Sequence, residues 1–195
     1  MRAGVTIYFI RHGETDWNAQ SRYQGQADVP LNDKGRGQAR RNGETLRALA
    51  PETGALPFIA SPLQRARETM EIVRSAMELP AEGYSLDPRL KEINYGAWQG
   101  TLAADLPQVD PDGLAARNLD TFNWRPEGGE SYADLTQRAV GWLDSIDRDC
   151  VVVAHGGISR VLRGHLYALE PLAVPDLPVP QDRILILRRD GMEWI

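Results

Sequence analysis

The chain opens on an apolar run, Val5-Thr-Ile-Tyr-Phe-Ile10, whose β-branched and aromatic residues show no polar alternation beyond Thr6. That pattern predicts a strand covered on both faces, leading into a turn at Arg11-His12-Gly13. Asn32 stands where it can cap a helix whose weak apolar face runs through Ala39, Leu46 and Ala50 and stops before Pro51. Phe58 to Ser61 reads as a second short strand. From Leu63, apolar residues recur at Ala66, Met70, Val73 and Met77, the period of an amphipathic helix, with Pro80 just beyond its end. The stretch from Arg89 to Gly100 reads as irregular. Residues 101–130, rich in Pro, Gly, Asp and Asn, read as a loop or lid with a single helical turn. Ser131 can cap a helix with Tyr132, Leu135, Ala139, Trp142 and Ile146 on its apolar side. Cys150-Val-Val-Val-Ala154 is a third buried strand, which turns at His155-Gly156-Gly157 into a helix reaching about Tyr167. Pro171, Pro175, Pro178 and Pro180 then mark an extended connector to a final strand, Arg183 to Arg189.

Strands alternating with helices predict a single α/β domain over residues 1–195. It is a three-layer sandwich with a mostly parallel sheet and helices on both faces. Length and composition fit: 195 residues, 42% hydrophobic and 25% charged, suffice for one hydrophobic core without disulfide or metal staples. Lys and Arg number 22 against 27 Asp and Glu, a net charge of -5, so bulk attraction to nucleic acid or to an anionic membrane is not expected. Any anion site must be local. The N-terminal apolar run is too short for a signal peptide, no stretch is long enough to span a bilayer, and the lone Cys150 suits a reducing cytoplasm. A homodimer is left open.

Two of the three histidines, His12 and His155, come directly after a predicted buried strand and precede glycine. Ligands of open α/β sheets bind beyond the carboxyl ends of the strands, so both imidazoles are placed where a site forms. One such histidine would be an ordinary strand-end residue bonded to a neighbouring carbonyl; two equivalent ones point to chemistry. Arg11 adjoins His12, and Arg65 lies near the start of the helix after the second strand, where guanidinium and helix N-terminal amides both favour a phosphate-sized anion. No metal-ligand spacing is present and arginines would repel a cation. No G-x-S-x-G elbow occurs either. What remains is an anion pocket in which a neutral imidazole, kept so by the neighbouring arginines, can attack phosphorus.

The block Arg11-His12-Gly13-Glu14-Thr15-Asp16-Trp17-Asn18 resembles the signature of the histidine phosphatase superfamily, the phosphoglycerate mutase-like proteins. The resemblance continues in order through Gly25 to Leu31, Gly35 to Ala39, Ser61 to Thr69, Leu90 to Gly100, Pro126 to Ser131 and Val152 to Gly157. It implies that His12 is the nucleophile and becomes phosphohistidine, that Arg11, Arg65 and His155 hold the phosphoryl oxygens, and that Glu92 is the general acid. Asn18, Gln24, Gly25, Gly156 and Tyr95 would add phosphate or substrate contacts. The implied partner is a small phosphorylated substrate, with no metal or other cofactor. Phosphoryl transfer fits such a set, since it asks chiefly for in-line placement and stabilised charge. Glu92 must give and then take a proton, which calls for partial burial.

One departure is the connector Val179-Pro180-Gln181-Asp182-Arg183, where relatives carry small polar residues and an asparagine; this leaves the rim of the pocket open. Tyr95, Trp98, Trp124 and Tyr132 are candidates for a mouth that stacks on an organic leaving group, with ordinary core packing the simpler reading. The nearest rival activity is phosphoglycerate mutase-type transfer. Mutases carry an adjacent arginine pair and a lysine where this chain has, over residues 101–130, only Arg117 and Arg125 against six acids. Hydrolysis is therefore expected. A catalytically inactive phosphate-recognising module is the rival of another class.

Overall fold

A computed structural model describes all residues, 1–195. The strands are β1 Ile7–Arg11, β2 Phe58–Ala60, β3 Ser85–Leu86, β4 Cys150–Ala154, β5 Ile184–Arg188 and β6 Gly191–Trp194. The α-helices are α1 Asp16–Ala19, α2 Asp33–Leu49, α3 Gln64–Ala76, α4 Leu106–Val109, α5 Pro111–Leu119, α6 Tyr132–Asp144 and α7 Gly156–Leu166. One sheet holds all six strands in the order β3-β2-β4-β1-β5-β6. Its first four strands are parallel, and a β5–β6 hairpin is added antiparallel to β1.

Side chains alternate across the central strands as the period of two demands. Ile7 and Phe9 of β1, with Cys150, Val152 and Ala154 of β4, join Leu135, Trp142, Ile158 and Leu162 in one core layer under α6 and α7. Tyr8, Ile10, Val151 and Val153 pack with Leu46, Ala66, Met70 and Val73 in the other, under α2 and α3. Both faces are thus covered, which is why β1 and β4 carry unbroken apolar runs.

The predicted caps are present: Asn32 Oδ1 accepts from Gly35 N, and Ser131 forms a capping box with Asp134. Three features differ from the sequence reading. Residues 101–130 hold two helices rather than one turn, the second opened by Asp110, whose carboxylate accepts from Gly113 N and from the buried Trp98 Nε1. The two-residue β3 lies within a stretch too short and polar to announce itself. The strand after the proline connector is not the last, because a turn at Arg189-Asp190 returns the chain as β6. No helix is long and apolar enough to cross a membrane.

Candidate active site

β1 and β4 are neighbours in register, Arg11 opposite Ala154, so the residues just beyond them emerge side by side at the carboxyl edge of the sheet. His12 and His155 are therefore brought together, their ring centroids 5.0 Å apart, and both are buried. The loop after His12 can pass because it carries glycine: a Cβ on Gly13 would lie 2.3 Å from the carbonyl oxygen of Gly35, in the first turn of α2.

His12 Nδ1 lies 2.8 Å from the carbonyl oxygen of Gly13. A carbonyl only accepts, so Nδ1 carries the proton and Nε2 keeps its lone pair. Arg65 Nε is 3.3 Å from that Nε2, a long contact, while its NH1 and NH2 donate to the carbonyls of Ala27 and Gly25. Arg65 is fully buried at the start of α3, and burial lowers its pKa to about 10, which leaves it cationic at neutral pH. Burial first, then the charges of Arg65 and Arg11, push His12 well below the usual histidine range. Burial and Arg65 do the same to His155. Both rings are neutral near pH 7. His155 Nε2 meets Ser61 Oγ at 2.7 Å, and its Nδ1 is buried without a protein partner. Arg11 donates from NH1 to the carbonyl of Val179, and its Nε is likewise buried and unpartnered. An unpaired buried guanidinium N–H on Arg11, with the free ring nitrogen of His155, beside two neutral imidazoles is an arrangement that suits an anion.

Glu92 is half-buried, and both of its carboxylate oxygens accept from Gly157 N, at 3.1 and 3.2 Å, while Oε1 also accepts from Ile93 N. A Cβ on Gly157 would sit 2.3 Å from Glu92 Oε1, so a side chain there would displace that carboxylate. Arg138 of α6 braces the backbone before it, donating to the carbonyls of Arg89, Lys91 and Glu92.

The pocket beyond these groups encloses about 180 Å³. Of the residues singled out from sequence, Arg11, His12, Asn18, Gln24, Gly25, Glu92, Tyr95 and Gly156 line it; Arg65 and His155 lie behind His12, in contact with it but not at the surface of the cavity. Gln24 is buried and accepts from Thr15 Oγ1 at 2.6 Å, which anchors the loop before Gly25. Among the aromatic candidates only Tyr95 reaches the pocket. Trp98 and Tyr132 belong to the interior, and Trp124 packs on Trp98 at 4.4 Å.

Sequence reasoning missed Ser21, Arg22, Tyr23, Ala103 and Arg160. Arg160 had a signal: it lies four residues after Gly156 on α7, and so on the same helical face. Its Nε donates to the carbonyl of Leu177 and its NH1 approaches Tyr132 Oη at 3.4 Å. None of the six acids of residues 101–130 lines the pocket, and Arg22 and Arg160 bring cations from outside that segment. The sign of the pocket is therefore set elsewhere than in the lid-like stretch.

The model of the histidine phosphatase superfamily (branch 1) matches residues 7–195. Over 175 residues the chain is 34% identical to a glucosyl-3-phosphoglycerate phosphatase of Mycolicibacterium vanbaalenii, covering 84% of this chain and 74% of the relative. It is 36% identical over 163 residues to a probable phosphoglycerate mutase of Erwinia tasmaniensis, covering 81% and 73%. Among solved structures, a mycobacterial glucosyl-3-phosphoglycerate phosphatase complexed with VO3 superposes with a TM-score of 0.79 at 31% identity, covering 98% of this chain and 96% of that one.

Proposed function

The chain belongs to the histidine phosphatase superfamily and is a phosphoric monoester hydrolase, and from that premise we propose that it cleaves a small phosphorylated metabolite through a phosphohistidine at His12, without a metal. His12 Nε2 attacks phosphorus as the bond to the leaving oxygen breaks and Glu92 gives that oxygen a proton. Arg11 and Asn18, which line the pocket, hold the non-bridging oxygens, where negative charge is concentrated in the transition state, and the buried Arg65 and His155 complete the set beside His12. Glu92 then takes a proton from water, which attacks the phosphohistidine and releases inorganic phosphate.

The observation that carries this reading is the state of His12: neutral, with Nδ1–H held by the Gly13 carbonyl and Nε2 left as the lone-pair nitrogen beside a buried arginine. Two unpartnered buried nitrogens, Arg11 Nε and His155 Nδ1, support the phosphoryl cradle. The exposed positions of Ser21 and Ala103 at the mouth support access of water, and hence hydrolysis rather than transfer to a second alcohol. The single buried cysteine supports a reducing, cytoplasmic setting.

The test is turnover of p-nitrophenyl phosphate in EDTA, with rapid-quench trapping of an acid-labile, base-stable label on His12. His12→Ala should abolish both. Phosphate binding with no turnover in the wild-type protein would identify a recognition module instead.

A further inference from the structure

The connector that departs from the family pattern ends in contact with the catalytic loop. Three consecutive carbonyls, of Leu177, Pro178 and Val179, accept from Arg160 Nε at 2.8 Å, Arg163 NH2 at 2.9 Å and Arg11 NH1 at 2.7 Å. The connector is thereby tied to α7 at two points and to the arginine beside the nucleophile at a third. Two residues on, the side-chain amide of Gln181 donates from one nitrogen to the His12 carbonyl at 3.0 Å and to Asn18 Oδ1 at 3.2 Å. Its backbone carbonyl accepts from Asn42 Nδ2 of α2.

These contacts set amide orientations that are otherwise ambiguous. A backbone carbonyl can only accept, so the Gln181 nitrogen must face His12 O. Asn18 Oδ1 receives that same nitrogen and also Thr15 N at 3.2 Å, two donors that a reversed amide would oppose. Asn18 is therefore held with its NH2 group turned away from both, and Asn18 lines the pocket. We infer that Gln181 is a positioning residue for the phosphoryl-transfer site: it holds the nucleophile's backbone and fixes the Asn18 carboxamide so that its NH2 group serves the transferred phosphoryl oxygens. This rests on the reading of Asn18 as a ligand of that group. It assigns to the unusual connector the part that the sequence left open, at a separation of 169 residues from His12.

The experiment is a double-mutant cycle on the full chain, with Gln181→Met, Asn18→Ala and the pair, read in p-nitrophenyl phosphate turnover and in the affinity for inorganic phosphate by calorimetry. Loss of the hydrogen bonds is expected to lower kcat/KM about tenfold in Gln181→Met, mostly in kcat. Because Gln181 is only half-buried, the melting temperature should stay within about 2 °C. In the Asn18→Ala background the second change should cost less than about twofold, since the group being oriented is gone. Gln181→Glu, which sets an acceptor against the His12 carbonyl, should be the more damaging of the two Gln181 variants. Asp182→Asn, an exposed neighbour, should behave as wild type. Losses that multiply in the double variant, or a Gln181→Met enzyme with wild-type kcat/KM, would overturn the assignment. If Gln181→Met melts far lower, the Gln181→Glu comparison at matched stability decides it in the same terms. A wild-type protein without turnover sinks the hydrolase reading alone; phosphate affinity that still depends on Gln181 and Asn18 non-additively would keep the positioning role.

Discussion

Acidification should destabilise this protein in a pH range where few other groups titrate, and the two site histidines are the reason. Both are buried with pKa values pushed well below 6.5, by burial first and then by Arg65. In the unfolded chain they regain an ordinary value of about 6.5. Below that pH the unfolded state binds protons that the folded state refuses, so stability falls as pH drops and is fully present only above about 6.5. At pH 5.5 a histidine that stays unprotonated in the fold lowers the unfolding free energy by at most about 1.4 kcal/mol relative to alkaline pH, so the pair costs up to about 3 kcal/mol. For a chain of this size that ceiling corresponds to a fall of roughly 6–11 °C in Tm. Most carboxylates, with ordinary values near 4, contribute little above pH 5.5. Urea melts between pH 5.5 and 8 in phosphate-free buffer measure the slope, and His12→Gln should halve it. Stability that is flat or rises on acidification, with His12→Gln making no difference, would mean that the imidazoles carry protons in the fold. The neutral nucleophile would then be refuted along with the thermodynamics.

The remaining expectations concern chemistry. Glu92→Gln should slow alkyl phosphates by at least about a hundredfold but p-nitrophenyl phosphate far less, because only the poor leaving group needs the proton; equal losses in a substrate comparison would remove Glu92 from that role. Gly157→Ala places a methyl group 2.3 Å from Glu92 Oε1, so it should reproduce the leaving-group dependence of Glu92→Gln in steady-state kinetics, with the phosphohistidine still forming from p-nitrophenyl phosphate. In a coupled assay primed with bisphosphoglycerate, interconversion of 2- and 3-phosphoglycerate should stay negligible beside hydrolysis, since the mouth at Ser21 and Ala103 is exposed to water; efficient interconversion would make the chain a mutase.

The runs Val5–Ile10 and Cys150–Ala154 announced the central parallel strands because burial on both faces leaves no polar alternation, and Asn32 and Ser131 announced their helices because capping is chemistry within four residues. His12 and His155 were legible for the same local reason: a ligand site at strand ends is built from the residues immediately after each strand. Other features depend on contacts made across the chain. Asp110 opens α5 while bonding Trp98, so the helices in residues 101–130 draw on tertiary contacts that no periodicity records. Arg160 becomes part of the pocket only because α7 packs its Gly156 face beside Arg11, and Gln181 reaches His12 only because β5 returns antiparallel to β1. The neutral state of the histidines is likewise a tertiary property. Residue types and spacing supply an imidazole beside an arginine, but the loss of water that holds the ring unprotonated comes from packing β1, β4 and α3 around it.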